Sequence, residues 1–219
     1  RSSSSAASDV YKRQKQKRSR DRVKIIIKTA REILEDGDVS DITIARVSKL
    51  SKLKRTSTYK FFPTPDHIKA YLLNELFNEC STFMKSNIKT HNDANLQSVL
   101  DEVVTILISY FDNSVPAKKL ILQSSLINSD LESLMSLSEQ INKYVSLNID
   151  LPSMFNEKGV VLVLTQIIIS ILSLNYKMDK ELNNVGKSEA IRASASYLIA
   201  CTAKELSLIH ISEPTRLSL

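Results

Sequence analysis

A chain of 219 residues with a formal charge of +6, three glycines, two cysteines and no tryptophan excludes several function classes at once. Cys80 and Cys201 are too few for a disulfide framework, and with His67 and His91 they give no zinc-ligand spacing, so no metal is expected and a reduced cytoplasm fits best. Gly37, Gly159 and Gly186 stand too far apart for a phosphate-cradling loop, and no nucleophile elbow, His-Glu-x-x-His pair or triad-like grouping occurs, so neither an enzyme nor a cofactor is expected.

The two ends read differently from the rest. Residues 4–14 and 206–216 resemble translations of the two arms of a transposase-based sequencing adapter. Asp9–Gln14 can be encoded by GATGTGTATAAGAGACAG, whose reverse complement encodes Leu206–Ile211. Residues 1–14 and 206–219 are therefore set aside from the fold, His210 carries no functional weight, and the natural C-terminus is expected to be lost. What remains is divided into residues 15–65 and 66–205. Charge is uneven along it: residues 15–60 hold 14 Lys/Arg against 6 Asp/Glu, whereas 61–205 hold 12 against 16. A basic head on an acidic body points to a polyanion partner at one end only.

In chain order, Val23, Ile26, Ile27, Ala30, Ile33 and Leu34 recur at helical spacing, and Gly37 is expected to cap that helix at its C-terminus. Thr43 can cap a short second helix carrying Ile44, Val47 and Leu50 on its apolar side. Leu53 plugs a tight turn. A third helix then carries donors at Lys54, Arg55, Thr56, Ser57, Tyr59 and Lys60, with Phe62 facing the core, and Pro63 and Pro65 end it. Two short helices joined this way offer the second to the DNA major groove. A helical hairpin with a solvated basic face is the plainer alternative.

This block resembles the N-terminal domain of the tetracycline-repressor (TetR) family of bacterial transcription regulators. Thr43, Val47, Leu53, Tyr59, Phe61, Phe62, Thr64, Asp66 and Ile68 fall on the family's pattern without a gap. Ser48 stands where the family has a small Ala, Lys52 where it has the turn Gly, Lys54 where it has a capping Ser, Thr58 where it has a buried Leu, and Pro65 where it has a Lys that touches phosphate. Lys52 is expected to adopt a left-handed conformation at a cost of about 1 kcal/mol. Thr58 is expected to weaken a core contact.

Beyond residue 66 the pattern is helical nearly throughout, without strand alternation. A linking helix carries Ile68, Tyr71, Leu72, Leu76, Cys80, Phe83 and Ile88, and the next carries Leu96, Val99, Leu100, Val103, Val104, Leu107, Tyr110 and Phe111. Pro116 opens a shorter helix to about Asn128, and Asp130 caps one reaching about Asp150. Two helices, about 158–176 and 187–205, close the chain. Val160–Leu174 is apolar nearly all round but spans fifteen residues against the ~20 of a bilayer crossing, so it is read as buried, with no membrane partner. Ile168 is placed on its outward side, or Ile171 if the helix is rotated. The resemblance implies that these last two helices form a four-helix bundle across a two-fold axis; core packing within one subunit is the alternative.

The expected fold is thus all-α, a three-helix helix-turn-helix DNA-binding domain followed by a larger helical ligand-binding and dimerisation domain. Lys54, Arg55, Thr56 and Ser57 are placed for base edges, Thr43, Tyr59 and Lys60 for backbone, and the basic residues of 15–24 for phosphate. A homodimer would read double-stranded DNA as an inverted repeat. The resemblance further implies release by a small-molecule effector. Phe77, Phe83, Tyr110, Phe111, Tyr144 and Phe155 could line its pocket, though aromatics at helical spacing are more often core. A non-specific DNA-coating protein and a helical scaffold or ligand carrier without a DNA role remain as other classes.

Overall fold

The computed structural model describes residues 3–91, 94–123, 131–152, 154 and 156–202, with residues 3–15 described by backbone alone. Among them every regular element is helical. The fold divides into two compact units, Arg1–Thr82 with Ser109–Leu134, and Phe83–Ile108 with Met135–Leu219.

The first unit begins with α1 (Ser3–Asp36), which buries Ile26, Ile27, Ala30, Ile33 and Leu34 as the periodicity predicts. A 3-10 turn (Val39–Asp41) leads to α2 (Ile44–Leu50) and α3 (Arg55–Phe61), and Pro65 opens α4 (Pro65–Ser86). Proline suits a helix's first position, where its missing N–H would have no acceptor anyway. Ile68, Leu72 and Leu76 of α4 join the core, with Phe111 from α5 (Leu96–Asp112) and Leu120 and Leu122 further on. Fully burying each such side chain contributes about 1.5–3 kcal/mol. Tyr110 Oη donates to the Leu76 carbonyl at 2.7 Å, and burial pushes its phenol up.

Gly37 closes α1 as expected, and two other expectations change here. The Gly37 N–H donates to the Ile33 carbonyl at 2.9 Å, and its φ is not positive. What requires glycine there is space: a Cβ would lie 2.5 Å from Asp41 Oδ2 and 3.0 Å from the Ile33 carbonyl. Leu50 and Tyr71 are exposed, Leu50 although Val47 and Ser48 of the same turn are buried, Tyr71 with its ring edge-on to Phe62 at 5.8 Å. The helix opened by Pro116 is a single turn, α6 (Val115–Ala117), capped by Ser114 and continued as a π-helical turn, Lys118–Gln123. Its predicted end near Asn128, the Asp130 cap and Phe155 lie outside the described residues.

The second unit packs the first part of α5 with α7 (Leu131–Asn148), α8 (Glu157–Asp179) and α9 (Asn184–Thr202). Phe83 and Ile88 are only half-buried here, and Ile88 lies past the end of α4. Asn156 caps α8 by accepting from the Gly159 N–H at 3.2 Å. At 23 residues α8 is longer than the apolar stretch alone predicted, and its length would span a bilayer. One side of it is nevertheless committed to protein, burying Val161, Leu164, Thr165, Ile168, Ile169, Leu172 and Asn175. Ile168 therefore faces inward, and the outward stripe is Val163, Ile167, Ile171, Leu174 and Met178.

The α8–α9 connection is held by polar contacts. Lys180 takes the left-handed conformation at φ 63° and donates its N–H to the Tyr176 carbonyl at 3.0 Å. Asn175 Oδ1 accepts from the Asn183 N–H at 3.1 Å, and Asn183 Oδ1 accepts from the Gly186 N–H at 3.1 Å. A Cβ on Gly186 would lie 2.2 Å from Asn175 Oδ1 and 2.6 Å from its Cβ. Gly186→Ala is therefore expected to destabilise the fold by about 1–3 kcal/mol, as overpacking does. Urea unfolding checks this; an unchanged midpoint would mean that the Asn175 network shifts without cost.

Candidate nucleic-acid interface

Thr43 has extended backbone, and its hydroxyl accepts the Arg46 N–H at 3.1 Å, starting α2 as its sequence position predicts. Arg46 pairs in turn with Asp41, Nη1 to Oδ1 at 2.8 Å. The Asp38 N–H, bound to Asp41 Oδ2 at 2.9 Å, holds that carboxyl below its usual range, and Arg46 adds to the effect. The chain leaving α1 is thus tied to the first turn of α2.

The turn after α2 places Lys52 at φ 57°, the left-handed conformation expected of a residue standing where glycine is usual. Lys54 then occupies the N-cap of α3 with extended backbone, and its side chain makes no capping bond. The two remaining departures sit against each other. Ser48 on α2 and Thr58 on α3 are both buried, and Ser48 Oγ donates to Thr58 Oγ1 at 2.9 Å. A buried hydroxyl pair joins the two helices where an apolar contact would otherwise do so, so Thr58 does not simply weaken the core.

Arg55, Thr56, Tyr59 and Lys60 are exposed on α3, Ser57 is half-buried, and Lys54 and Thr43 are exposed ahead of their helices. Lys49, Lys52, Lys54, Arg55 and Lys60 form no salt bridge among the described residues. A surface groove between α2 and α3 is lined by Thr43, Ala45, Arg46, Ser48, Lys49, Leu53 and Arg55. Arg46 and Lys49 were not singled out from sequence. Their signal was present, in the first and last turns of a capped helix that precedes the basic one. At Pro65 the first turn of α4 carries no cation; the Thr64 hydroxyl lies 2.7 Å from His67 Nδ1, and Lys69 pairs with Asp66 at 3.0 Å.

The aromatics predicted for a ligand site lie in the two units separately. Tyr110 and Phe111 pack edge-on in the first, at 5.4 Å and 63°. Tyr144 is fully buried in the second, where burial pushes its phenol up and the nearby Glu102 carboxylate adds to the shift.

An all-α chain with a capped helix, a left-handed turn and an exposed basic helix defines a helix-turn-helix protein. No protein-family model and no curated protein matches the chain by sequence. By structure it is similar to a TetR-family transcriptional regulator from Streptomyces coelicolor, with 16% identity, 84% of this chain and 99% of that one covered, and a TM-score of 0.57. It is also similar to the TetR family repressor AlkX from Dietzia sp. strain DQ12-45-1b, implicated in biodegradation of n-alkanes, with 13% identity, 82% and 96% covered, and a TM-score of 0.52. The chain therefore has the fold of TetR-family regulators, an N-terminal helix-turn-helix followed by a helical C-terminal domain.

The Ser48–Thr58 pair gives the site its own test. Ser48→Ala strands the buried Thr58 hydroxyl and is expected to cost about 1–3 kcal/mol, whereas Ser48→Ala with Thr58→Val removes both partners and should be close to neutral. A double-mutant cycle by urea unfolding reads the difference; single effects that simply add would show that the hydroxyl pair does not join the helices.

Proposed function

We propose that this protein is a sequence-specific, DNA-binding transcriptional repressor that reads an inverted-repeat operator as a homodimer. The observation that carries the proposal is the row of exposed donors on α3, Arg55, Thr56, Tyr59 and Lys60, preceded by Lys54 at the N-cap and flanked by the Lys49 and Arg46 groove. Arg and Lys reach guanine O6 and N7 in the major groove, and Thr and Ser hydroxyls serve either base edges or phosphates. In this reading Arg55, Thr56, Ser57 and Lys54 meet bases, while Thr43, Tyr59 and Lys60 hold the backbone. The basic part of α1, with Lys17, Arg18, Arg20, Arg22 and Lys24, adds phosphate contacts. Work on duplex DNA puts the protein in the cytoplasm.

Support for a dimer comes from α8. Its outward stripe is apolar from Val163 to Met178, with Leu174 58% and Met178 72% exposed, and α9 adds Ile199 at 58%. An apolar face exposed at Val163, Leu174 and Met178 and half-buried at Ile167 and Ile171 is of the kind that marks an association surface. Paired heads would enter successive major grooves about 34 Å apart. Release by a small effector completes the proposal. Gln140 Oε1 on α7 is buried without a hydrogen-bond partner among the described residues, a condition costing about 1–3 kcal/mol that a polar ligand would relieve.

Selection from a random duplex pool tests the reading directly, with enrichment of one inverted repeat expected and no enrichment overturning it. If about six phosphates are neutralised per dimer, log affinity should fall against log salt with a slope near −5. Arg55→Ala should cost about 1–3 kcal/mol at the selected duplex and relax its preference, whereas Lys17→Ala should weaken all duplexes alike. For assembly, Leu174→Asp should yield folded monomers with reduced operator affinity, and Ile168→Asp should instead unfold the protein. Light scattering and circular dichroism separate the two; a monomeric parent protein would defeat the dimer.

A further inference from the structure

The C-terminal end of α1 is electrically unfavourable by its own sequence. A helix C-terminus carries partial negative charge and up to four carbonyls without intrahelical partners, yet α1 ends in Glu35 and Asp36 and has no basic residue in its last turn. Nor does a left-handed cap close it, since Gly37 has no positive φ. The missing cation comes from 82 to 85 residues away: Lys119 Nζ donates to the carbonyls of Leu34 at 2.8 Å, Gly37 at 2.8 Å and Glu35 at 3.4 Å. Each of the three donors of the ammonium has an acceptor.

Both sides of this contact are anchored. Lys119 belongs to the π-helical turn Lys118–Gln123, whose Leu120 and Leu122 are buried, so its backbone is held in the core. Such turns are rare and occur frequently at functional sites. On the other side, Gly37 packs against the Asp41 carboxylate, Asp41 pairs with Arg46, and Arg46 lines the groove with Lys49 and Arg55. Helices α2 and α3 have seven residues each, too few to hold a conformation unaided. Their direction depends on where the chain leaves α1.

We propose that Lys119 is a positioning residue for the DNA-reading head, setting the exit of the chain from α1 and through it the presentation of α3; the inference rests on the DNA-binding reading above. The alternative is that Lys119 only caps a helix. Lys119→Met keeps the stem and removes the ammonium, and adding Asp36→Lys returns a cation to the last turn of α1 without the three-carbonyl grip.

The full chain and both variants are compared on the duplex recovered by selection and on a scrambled duplex, at a temperature where circular dichroism shows each folded. Lys119→Met should lose at least tenfold affinity for the selected duplex and less than threefold for the scrambled one. In the Asp36→Lys, Lys119→Met protein the unfolding midpoint should recover while the selectivity loss persists. Recovery of both, or selectivity unchanged in Lys119→Met, overturns the proposal. If Lys119→Met does not fold, the double variant alone decides, with lost selectivity supporting the proposal and kept selectivity overturning it. Should the parent protein select no duplex, the DNA reading fails and amide exchange decides. Faster exchange at Ile42 and Val47 in the double variant, with Leu172 unchanged, supports positioning by Lys119; unchanged exchange at Ile42 and Val47 overturns it.

Discussion

Two helices of seven residues cannot hold themselves in water, and the helix-turn-helix of this chain depends on what braces them. Isolated helices shorter than ~12–15 residues are marginal because nucleation is unfavourable and few hydrogen bonds repay it. The braces are specific: the Thr43 cap, the Asp41–Arg46 pair, the hydroxyl bond from Ser48 to Thr58, and Phe62 packed at the end of α3. With those contacts made, the cations of α3 are left for a partner rather than spent on the fold. The exposed basic surface of α3 is thus a consequence of how its underside is tied.

The paired departures from the family pattern follow the same logic. Taken singly, Ser48 and Thr58 each put a polar group at a buried position, and either alone would incur the desolvation of an unmatched hydroxyl. Together they satisfy one another. Lys52 differs: its left-handed backbone closes α2, the Lys52 N–H donating to the Lys49 carbonyl at 3.4 Å and the Leu53 N–H to the Ser48 carbonyl at 3.2 Å, so the steric cost is set against backbone bonds rather than a side-chain partner. Nothing in the structure explains why lysine rather than glycine stands there.

Much of this was legible in the sequence, where the information is local. The Thr43 cap, the turn at Lys52, the prolines closing α3 and the core stripe of α1 all follow from residues within a few positions of one another. What was not legible depends on partners far along the chain. Lys119 reads as one of two adjacent lysines after a proline, and only folding brings it to the end of α1. Gly37 marks the end of α1 in the sequence as in the structure, but the room it leaves for the Asp41 carboxylate is visible only in three dimensions. The inward side of α8 was equally hidden, since a helix apolar nearly all round has no periodicity from which to choose a face.

That last ambiguity is resolved by polar residues rather than apolar ones. Thr165 and Asn175 are buried on α8, Thr165 donating to the Val161 carbonyl at 2.8 Å and Asn175 organising the turn into α9. A buried amide needs fixed partners, and Asn175 has them in Asp179 and Asn183, which ties this side of the helix to α9. The opposite side carries Val163, Ile167, Ile171, Leu174 and Met178 without such ties. A helix meant only for the core would have buried that stripe, and one meant for lipid would have had no reason to place an asparagine network on its other side. Apolar on both sides but polar-locked on one, α8 leaves a stripe that its own chain covers only in part, and that stripe is what the proposed dimer would bury.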